Sequence, residues 1–291
     1  MKKKYKKIGI IGHFATKVDK NDGQTVKTRE IYNTLVKNKC FNISTVDTQD
    51  YRKTLFSFLI SIFRLIKNND DVIIIVASGG MKVLIPIFVI LNLIFRKKIC
   101  YCVVGSWLDT RIKNNKFLKY CLKKVNKIFV ETSNLKENLS KLGLKNVEIM
   151  YNFKNFDNKK INIKKEKNTF CIFSRIMREK GIEDAIYAIN RLNDEGIKCS
   201  LGIYGPVENK YKDEFEKIVS QSKKNVRYYG CVNSEESKKY ISKYWMLLFP
   251  THYIKEGLPG TLLDAYNAST PVIASNWISA SEFVPNNVGY I

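Results

Sequence analysis

The strongest constraint on the fold is a repeated alternation between short, continuously apolar segments and longer amphipathic ones. Buried strands are predicted at KIGIIG (7–12), VIIIVA (72–77) and TFCIFSR (169–175), and helices at TVKTREIYNTLVKN (25–38) and GIEDAIYAINRLNDEG (181–196). Continuous β-branched runs separated by helices are typical of parallel sheets covered on both faces. The sequence therefore predicts an α/β fold. The same pattern predicts further strands at 42–46, 97–105, 127–132, 147–152, 198–205, 226–230, 245–250 and 271–275, and further helices at 54–67, 83–95, 134–143, 211–222, 261–269 and from Ser234.

The alternation is interrupted once, by the polar, lysine-rich segment FKNFDNKKINIKKEKN (153–168), which we predict to be a linker. It separates an N-terminal domain, 1–152, from a C-terminal domain, 169–291. Each has the strand–helix order of a Rossmann-like domain. Ligands of such sheets bind at the carboxyl ends of the strands. We therefore expect two Rossmann-like domains facing a cleft that holds the functional site.

The charge balance restricts the partners. The chain has 50 Lys+Arg against 27 Asp+Glu, a formal net charge of +23. Such a field favours anionic partners such as nucleic acid, acidic lipid or phosphorylated substrates. The lysines are spread along the chain and no nucleic-acid-binding motif is present, so we predict no nucleic-acid partner. Attraction to an anionic membrane surface and a plain compositional bias towards lysine remain as alternatives.

Two segments bear on a membrane role, TLFSFLISIFRLIK (54–67) and VLIPIFVILNLIFRKK (83–98). Both are apolar, end in basic residues and fall short of the ~20 apolar residues that span a bilayer. They suit helices packed on a sheet, or helices with one face in an anionic membrane surface. The seven cysteines form no CxxC pair, which is typical of free thiols in a reducing compartment. We expect a cytoplasmic protein, peripheral at the inner face of the cell membrane.

The segment FSRIMREKG (173–181) places three cations at a predicted strand–helix junction. Arg175 is a planar fork that can hold phosphate oxygens by two hydrogen bonds. Lys180 lies at the beginning of the helix, where free backbone N–H groups also favour anions. These cations, with Arg178, predict a phosphate site, although solvated charge in a loop is the alternative.

The segment KEGLPGTLLDA (255–265) combines a turn with two carboxylates, Glu256 and Asp264. Its glycines and proline favour a turn that brings backbone close to a ligand. Thr261 and Asp264, three residues apart, also match a helix capping box. Asp264 is therefore predicted either to cap a helix or to bind a ligand.

These two segments together resemble the nucleotide-binding domain of GT-B glycosyltransferases, specifically the GT4 group of retaining enzymes. FSRIMREKGIEDAI resembles the group's G-R-x-x-x-x-K-G junction, and EGLPGTLLDA resembles its E-G-x-P-x-x-x-x-E-A signature. In the first half, GHFATKVDKNDGQTVKTR resembles the N-terminal glycine loop, and VETSNLKENLSKLGLKNVEIMYNF resembles the last N-domain segment. The resemblance covers essentially the whole chain.

The resemblance implies transfer of a sugar from a nucleotide-sugar donor, the co-substrate, to a glycan acceptor in surface polysaccharide biosynthesis. The apolar helices and the basic charge favour a lipid-linked acceptor. Arg175 and Lys180 would hold the donor diphosphate, Glu256 would lie at the sugar end, and Asp264 would bond the ribose hydroxyls. The catalytic residues are then Glu256, Arg175 and Lys180. The backbone that lines the donor pocket would come from Gly257, Leu258, Gly260 and Gly23. No D-x-D sequence is present, so we predict a metal-independent hexosyltransferase without a resident cofactor.

On the acceptor side the resemblance is weaker. We predict contributions from His13, Arg29, Gly79 and Asp109. His13 follows the first strand, and Arg29 lies on the helix after it and would meet an acceptor phosphate. Gly79, with its neighbours Ser78 and Gly80, is predicted to end a strand. Asp109 is a candidate base, with a surface loop carboxylate as its alternative.

Three departures from the family pattern keep other functions open. Asp264 replaces the usual Glu, VVGSWLDTR (103–111) lacks a histidine that many members carry, and the chain ends at VGYI where members continue. We therefore expect an incomplete C-terminal domain. The alternatives are a sugar-nucleotide epimerase, disfavoured by the scarcity of His, and a non-catalytic nucleotide-sugar-binding partner in a glycan assembly complex. A dehydrogenase is disfavoured because the first strand does not lead into GxGxxG.

Overall fold

The computed structural model describes residues 5–16, 22–49, 55–156, 163–233 and 236–291. The chain forms two compact units, Met1–Asn155 and Phe156–Ile291. Each unit contains one parallel six-stranded sheet with helices packed against it. The predicted α/β class and the two Rossmann-like sheets are confirmed.

The first unit has the strand order β2-β1-β3-β4-β5-β6, and all neighbouring strands run parallel. Its strands are β1 (Lys6–Gly12), β2 (Phe41–Asp47), β3 (Asp71–Ile75), β4 (Lys98–Cys102), β5 (Lys127–Val130) and β6 (Val147–Ile149). Its helices are α1 (Gly23–Lys37), α2 (Leu55–Asn68), α3 (Ser78–Phe95), α4 (Leu108–Ile112), α5 (Lys116–Lys124) and α6 (Ser133–Lys141).

The second unit has the order β12-β11-β10-β7-β8-β9, also parallel throughout. Its strands are β7 (Glu166–Phe173), β8 (Ser200–Tyr204), β9 (Val226–Tyr228), β10 (Tyr244–Phe249), β11 (Val272–Ala274) and β12 (Gly289–Tyr290). Its helices are α7 (Ile182–Asp194), α8 (Lys212–Gln221), α9 (Ser237–Ile241), α10 (Gly260–Asn267) and α11 (Ala280–Phe283), and 3-10 turns lie at Arg178–Lys180 and Asn209–Tyr211.

The apolar run of β3 shows why continuous hydrophobicity predicts a parallel sheet. Val72 and Ile74 pack into a core formed with α2, α3, α5 and α6 on one face. Ile75 belongs to a second core on the other face, where Ile31 of α1 meets Ile8 of β1. A strand between two helical layers buries successive side chains on both sides. Because the strands of each sheet run parallel, their carboxyl ends, and the loops that follow them, lie at one edge of each sheet.

Several element boundaries differ from the prediction. The predicted strand 72–77 ends at Ile75, and Ser78, Gly79 and Gly80 form the first turn of α3, with Met81 N–H bonded to the Ala77 carbonyl at 3.0 Å. The prediction that these residues end a strand is therefore wrong. Glycine pairs are typical of loops, but here both glycines are helical and α3 begins at Ser78.

Three further differences concern short segments. Helices α4 and α5 were not predicted, because five- and nine-residue helices give little periodicity to detect. Strand β7 begins at Glu166, so the last residues of the predicted linker belong to a sheet, while 157–162 lie outside the described residues. The helix predicted from Ser234 begins at Ser237, and 234–235 are likewise outside the described residues.

Candidate functional site

The central feature of the second unit is an ion pair between Lys180 and Glu256. Lys180 Nζ donates to Glu256 Oε1, and the two side chains are only 17% and 11% exposed. Thr251 Oγ1 lies 3.1 Å from the same carboxylate oxygen. The ammonium also lies 5.4 Å from the centroid of the Phe249 ring. Two residues that are 76 positions apart, and that the sequence assigns to different parts of one site, are in direct contact.

The loops after β7 and β10 are joined closely, which positions this pair. The two strands are neighbours in the sheet, so their carboxyl ends lie side by side. Gly181 has a φ of +66°, and a Cβ there would overlap the carbonyl oxygen of Pro250. The Glu179 carbonyl accepts a hydrogen bond from His252 N–H at 2.8 Å. A side chain at position 181 would force the two loops apart and separate Lys180 from Glu256.

Arg175 lies in the loop after β7 with its backbone held on both sides. Ser174 N–H bonds the Tyr204 carbonyl at 3.1 Å, and Ile176 N–H bonds the Pro206 carbonyl at 2.9 Å. Its side chain is exposed and, in the part of the chain that the structure describes, its guanidinium forms no ion pair or hydrogen bond. Arg175 is therefore a cation on a fixed backbone whose fork is available to an anion.

Arg178 differs from its neighbour Arg175 because it is already neutralised. Its Nη2 lies 2.5 Å from Glu214 Oε2, and this hydrogen bond raises the pKa of the guanidinium above its ordinary value. Both side chains are exposed. Of the three predicted phosphate-binding cations, Arg178 thus matches the alternative of a solvated surface charge.

The predicted capping box at Thr261 and Asp264 is wrong. Helix α10 begins at Gly260 with Pro259 in the capping position and no side-chain cap. Thr261 is inside the first turn, and its hydroxyl is buried without a hydrogen-bond partner among the described residues. Asp264 is buried, at 7% exposure, in the second turn of α10. Proline at 259 supplies the extended backbone that precedes a helix, so the spacing of Thr and Asp has no capping role here.

The remaining predicted donor residues lie in the turn before α10. Gly257 and Leu258 are buried, and the Leu258 side chain packs into the core with Leu262 and Ala265. Gly260 is half-buried at the first helical position. Because the Leu258 side chain faces the core, only its backbone remains to meet a ligand.

A stack of aromatic rings at the same edge was not predicted. Phe173 ends β7, Tyr204 ends β8, and Tyr229 follows β9. The Phe173 and Tyr204 centroids are 5.2 Å apart with planes 24° from parallel, and Tyr204 and Tyr229 are 5.0 Å apart at 12°. Tyr229 is 51% exposed. Apolar strand ends at 173, 204 and 229 were the available signal, but the sequence does not reveal which strands are neighbours.

In the first unit, His13 and Arg29 hold the loop after β1. His13 Nδ1 lies 2.7 Å from Thr25 Oγ1. Arg29 donates from Nε to the Phe14 carbonyl at 2.9 Å and from Nη2 to the Ala15 carbonyl at 3.2 Å. Gly23 is the exposed first residue of α1, with open space beside its Cα. The loop and the N-terminus of α1 are thus tied together by side chains that the sequence assigned to an acceptor.

Gly79 and Asp109 lie in the first turns of two different helices. Gly79 is exposed in α3, with no atom within 4 Å of the place a Cβ would take. Asp109 is buried in α4, where Oδ2 accepts from Asn138 Nδ2 at 2.9 Å and Oδ1 accepts from Thr110 N–H at 2.7 Å. Asp109 therefore links α4 to α6 through its hydrogen bond with Asn138, which is a structural role. Its role as a base remains a prediction.

Asp47, at the end of β2, holds the same β1 loop from the other side. Its carboxylate accepts from the N–H groups of Phe14 and Thr16, both at 3.1 Å, and of Gln49 at 2.9 Å. Burial favours the neutral acid, but the hydrogen bonds from Thr16 and Gln49 outweigh it and lower the pKa of Asp47 below its ordinary 3.8. A carboxylate with a lowered folded-state pKa stabilises the fold above the unfolded pKa and loses that contribution as pH falls through the folded one.

We expect Asp47→Asn to lower the unfolding free energy of the first unit by roughly 1 kcal/mol at neutral pH. A neutral amide accepts hydrogen bonds from backbone N–H groups more weakly than the charged carboxylate does. The difference from wild type should vanish as the pH falls below the lowered pKa of Asp47. Urea unfolding between pH 2 and 7 measures this. A constant difference across that range would contradict the assignment.

Among the described residues, no group of three His, Cys, Asp or Glu side chains could hold a metal ion. Metal independence itself stays a prediction.

The fold of the chain matches those of proteins with solved structures. The chain aligns in structure with Anabaena Alr3699/HepE solved with UDP, at a TM-score of 0.69 and 13% identity, covering 98% of this chain and 85% of that one. The galactosyltransferase WaaB of the lipopolysaccharide outer core, in apo form, aligns at a TM-score of 0.66 and 16% identity with the same coverage. The chain thus has the GT-B fold, with one parallel six-stranded sheet in each unit.

The second unit matches a family model. Residues 153–291, just under half of the chain, match the model described as glycosyl transferases group 1. A capsular polysaccharide biosynthesis glycosyltransferase, CapH of Staphylococcus aureus, is 28% identical over 248 residues, which are 82% of this chain and 68% of that protein.

Proposed function

We propose that the chain is a retaining glycosyltransferase of the GT4 group, which moves a hexosyl residue from a nucleotide sugar to a glycan or lipid-linked acceptor in surface polysaccharide biosynthesis. The observation that carries this is the Lys180–Glu256 pair together with Arg175, which lies in the loop after β7 and whose guanidinium forms no ion pair with any described residue. The likeness to CapH and to the UDP-bound Alr3699/HepE supports the substrate class.

Cations at this edge suit the chemistry of the leaving group. Breaking the bond between the sugar and the diphosphate leaves negative charge on the departing nucleotide, and fixed cations stabilise that charge without a metal. Arg175 offers a bidentate fork and Lys180 a point charge. Helix α7 begins at Ile182, two residues after Lys180, and the N–H groups at a helix N-terminus favour anions. Glu183 and Asp184 in its first turn offset part of that potential.

Glu256 has a second role in this proposal. In the absence of donor its carboxylate neutralises Lys180. When a diphosphate takes Lys180 as its partner, Glu256 becomes available to accept hydrogen bonds from sugar hydroxyls. The ring stack that ends in Tyr229 offers a flat apolar surface for the base of the nucleotide.

A screen with nucleoside diphosphates tests the donor site. A ligand that binds only the folded state raises the melting temperature. We expect UDP or another nucleoside diphosphate to raise it more than pyrophosphate does at equal concentration, because the base adds contacts. Transfer of radiolabelled sugar to a membrane extract then separates a transferase from the alternatives. Isomerised donor without transfer identifies an epimerase, and binding without turnover identifies a non-catalytic partner.

Asp264, which stands where the family usually has Glu, is proposed to accept hydrogen bonds from the ribose hydroxyls of the donor. Substitutions of Asp264 test this ribose contact directly. We expect Asp264→Glu to preserve or improve UDP binding, because the acid retains its charge and gains reach. Asp264→Asn should weaken UDP binding by about 10–150-fold, since a hydrogen bond to a charged group contributes about 1.5–3 kcal/mol. Calorimetric titration with UDP measures both.

Pyrophosphate is the matched control for Asp264, because it lacks a ribose. Its binding should be unchanged in both variants. If Asp264→Asn binds UDP like wild type, or Asp264→Glu abolishes binding in a folded protein, the ribose contact is refuted.

A further inference from the structure

One layer of the first unit carries apolar side chains on its outer surface. Helices α2, α3 and α5 cover one face of the sheet and bury their inner sides in the core. On their outer sides, Phe56 of α2 and Leu93 and Ile94 of α3 are 78, 74 and 75% exposed, and Phe117 of α5 is 61% exposed. We call this outer surface of α2, α3 and α5 the apolar helix face.

The apolar helix face is continuous from one helix to the next. The rings of Phe63 in α2 and Phe95 in α3 meet edge to face, with centroids 5.2 Å apart. Helix α3 packs in turn against α5. The exposed positions of α2 recur at helical spacing, as Phe56, Ile60 and Phe63 do, so they form a stripe along the helix. Adjoining stripes on neighbouring helices make a patch of the kind that marks an interaction surface.

Basic residues alone provide the charge of this face. The sequences of α2, α3 and α5 contain no Asp or Glu. Arg64 and Lys67 lie on α2 beside the exposed aromatic rings, and an open pocket is lined by both cations together with Phe56 and Phe63. Helix α5 contributes four lysines. An apolar centre flanked only by cations on its own three helices is complementary to an anionic, amphipathic surface.

Helix α3 lies along this surface and does not cross it. Among the described residues it is the helix that is long and apolar enough to span a bilayer by length and composition. However, Met81, Ile85 and Phe88 on its inner side are fully buried in the core of the unit. Only its outer side is available, so an interfacial position is the arrangement that keeps the fold intact.

We propose that the apolar helix face docks the protein on a lipid bilayer containing anionic lipid. The exposed aromatic and aliphatic side chains enter the boundary between headgroups and acyl chains, and the flanking Lys and Arg bind the headgroup phosphates. A second copy of the chain is a poorer occupant, because a symmetric interface through this face would oppose like charges. The proposal concerns binding to the bilayer and does not require the proposed sugar transfer.

Vesicle sedimentation with the full chain tests the docking face. Wild type should sediment with vesicles of 70% phosphatidylcholine and 30% phosphatidylglycerol and remain largely in the supernatant with pure phosphatidylcholine, because the basic surround requires anionic lipid. The double variant Phe56→Glu/Ile94→Glu should reduce the partition coefficient on anionic vesicles by at least about tenfold. Both positions are mostly exposed, so their replacement leaves the core untouched.

The matched control is Val36→Glu/Tyr187→Glu, which makes the same change in charge at exposed apolar positions of α1 and α7. It should bind anionic vesicles within about twofold of wild type.

If both double variants lose binding equally, binding depends on net charge alone, and the docking face is overturned. No binding by wild type, or equal binding to neutral vesicles, would also overturn the proposal. A dimer in light scattering that only Phe56→Glu/Ile94→Glu dissociates would assign the face to self-association instead. Because the assay contains no donor, its result is independent of sugar transfer.

Discussion

Replacing Lys180 by methionine is expected to lower kcat/KM for the nucleotide sugar by about 10²–10³-fold, the usual cost of removing one group that stabilises developing negative charge. Two effects combine. The leaving diphosphate loses a cation, and the Glu256 carboxylate, 11% exposed, keeps its charge in the site without its partner. An unpaired carboxylate there also repels the incoming donor. Initial rates of transfer over a range of donor concentrations measure kcat/KM, and Lys180→Arg should retain more activity than Lys180→Met.

Arg178→Met is the matched control, because Arg178 lies two residues away and is paired with Glu214 on the surface. Its kcat/KM should stay within about threefold of wild type. The double variant Lys180→Met/Glu256→Gln separates the two effects. It should recover thermal stability, because no lone charge remains, while transfer stays low. Wild-type rates in a folded Lys180→Met protein, or an equal loss in Arg178→Met, would refute the role of Lys180.

The parts of the site that lie within one continuous segment could be predicted from the sequence, and the contacts between distant segments could not. The junction of β7 and α7 was predictable because a β-branched run, a basic loop and an amphipathic helix lie within one continuous segment, 169–196. The contact between Lys180 and Glu256 was not, because it depends on β7 and β10 being neighbours in the sheet. Strand order arises from the packing of the whole unit, and no local pattern encodes it. The Thr261–Asp264 spacing misled for a different, local reason: the helix begins one residue earlier, at Gly260, with Pro259 in the capping position.

The buried ion pair of Lys27 and Glu131 in the first unit was not predicted from the sequence. Lys27 is 1% and Glu131 3% exposed. Lys27 Nζ lies 2.5 Å from Glu131 Oε1 and 2.8 Å from the Val103 carbonyl, and Glu131 Oε2 accepts from Gly105 N–H at 3.2 Å. A lysine among 50 Lys+Arg gives no sign of burial. The pair joins α1, the loop after β4 and the end of β5, so it fixes the backbone that carries the predicted acceptor residues.

Lys27→Met is expected to lower the unfolding free energy of the first unit by about 3–5 kcal/mol, because it leaves a buried carboxylate without its counter-charge. Native-state hydrogen exchange of the β1 and β4 amides measures this unit separately from the other. Lys27→Met/Glu131→Met removes both charges and should recover most of the loss, since well-packed apolar replacements of a buried pair are often neutral or stabilising.

The matched control for Lys27→Met is Lys37→Met, on the exposed last turn of α1, which should change the unfolding free energy by less than about 0.5 kcal/mol. The summed losses of the single variants Lys27→Met and Glu131→Met should exceed the loss in Lys27→Met/Glu131→Met by several kcal/mol, which is the coupling expected of a pair in direct contact. Additive losses would show that each side chain stabilises the unit through separate packing. In that case the ion pair would not be what holds α1 to the β4 loop.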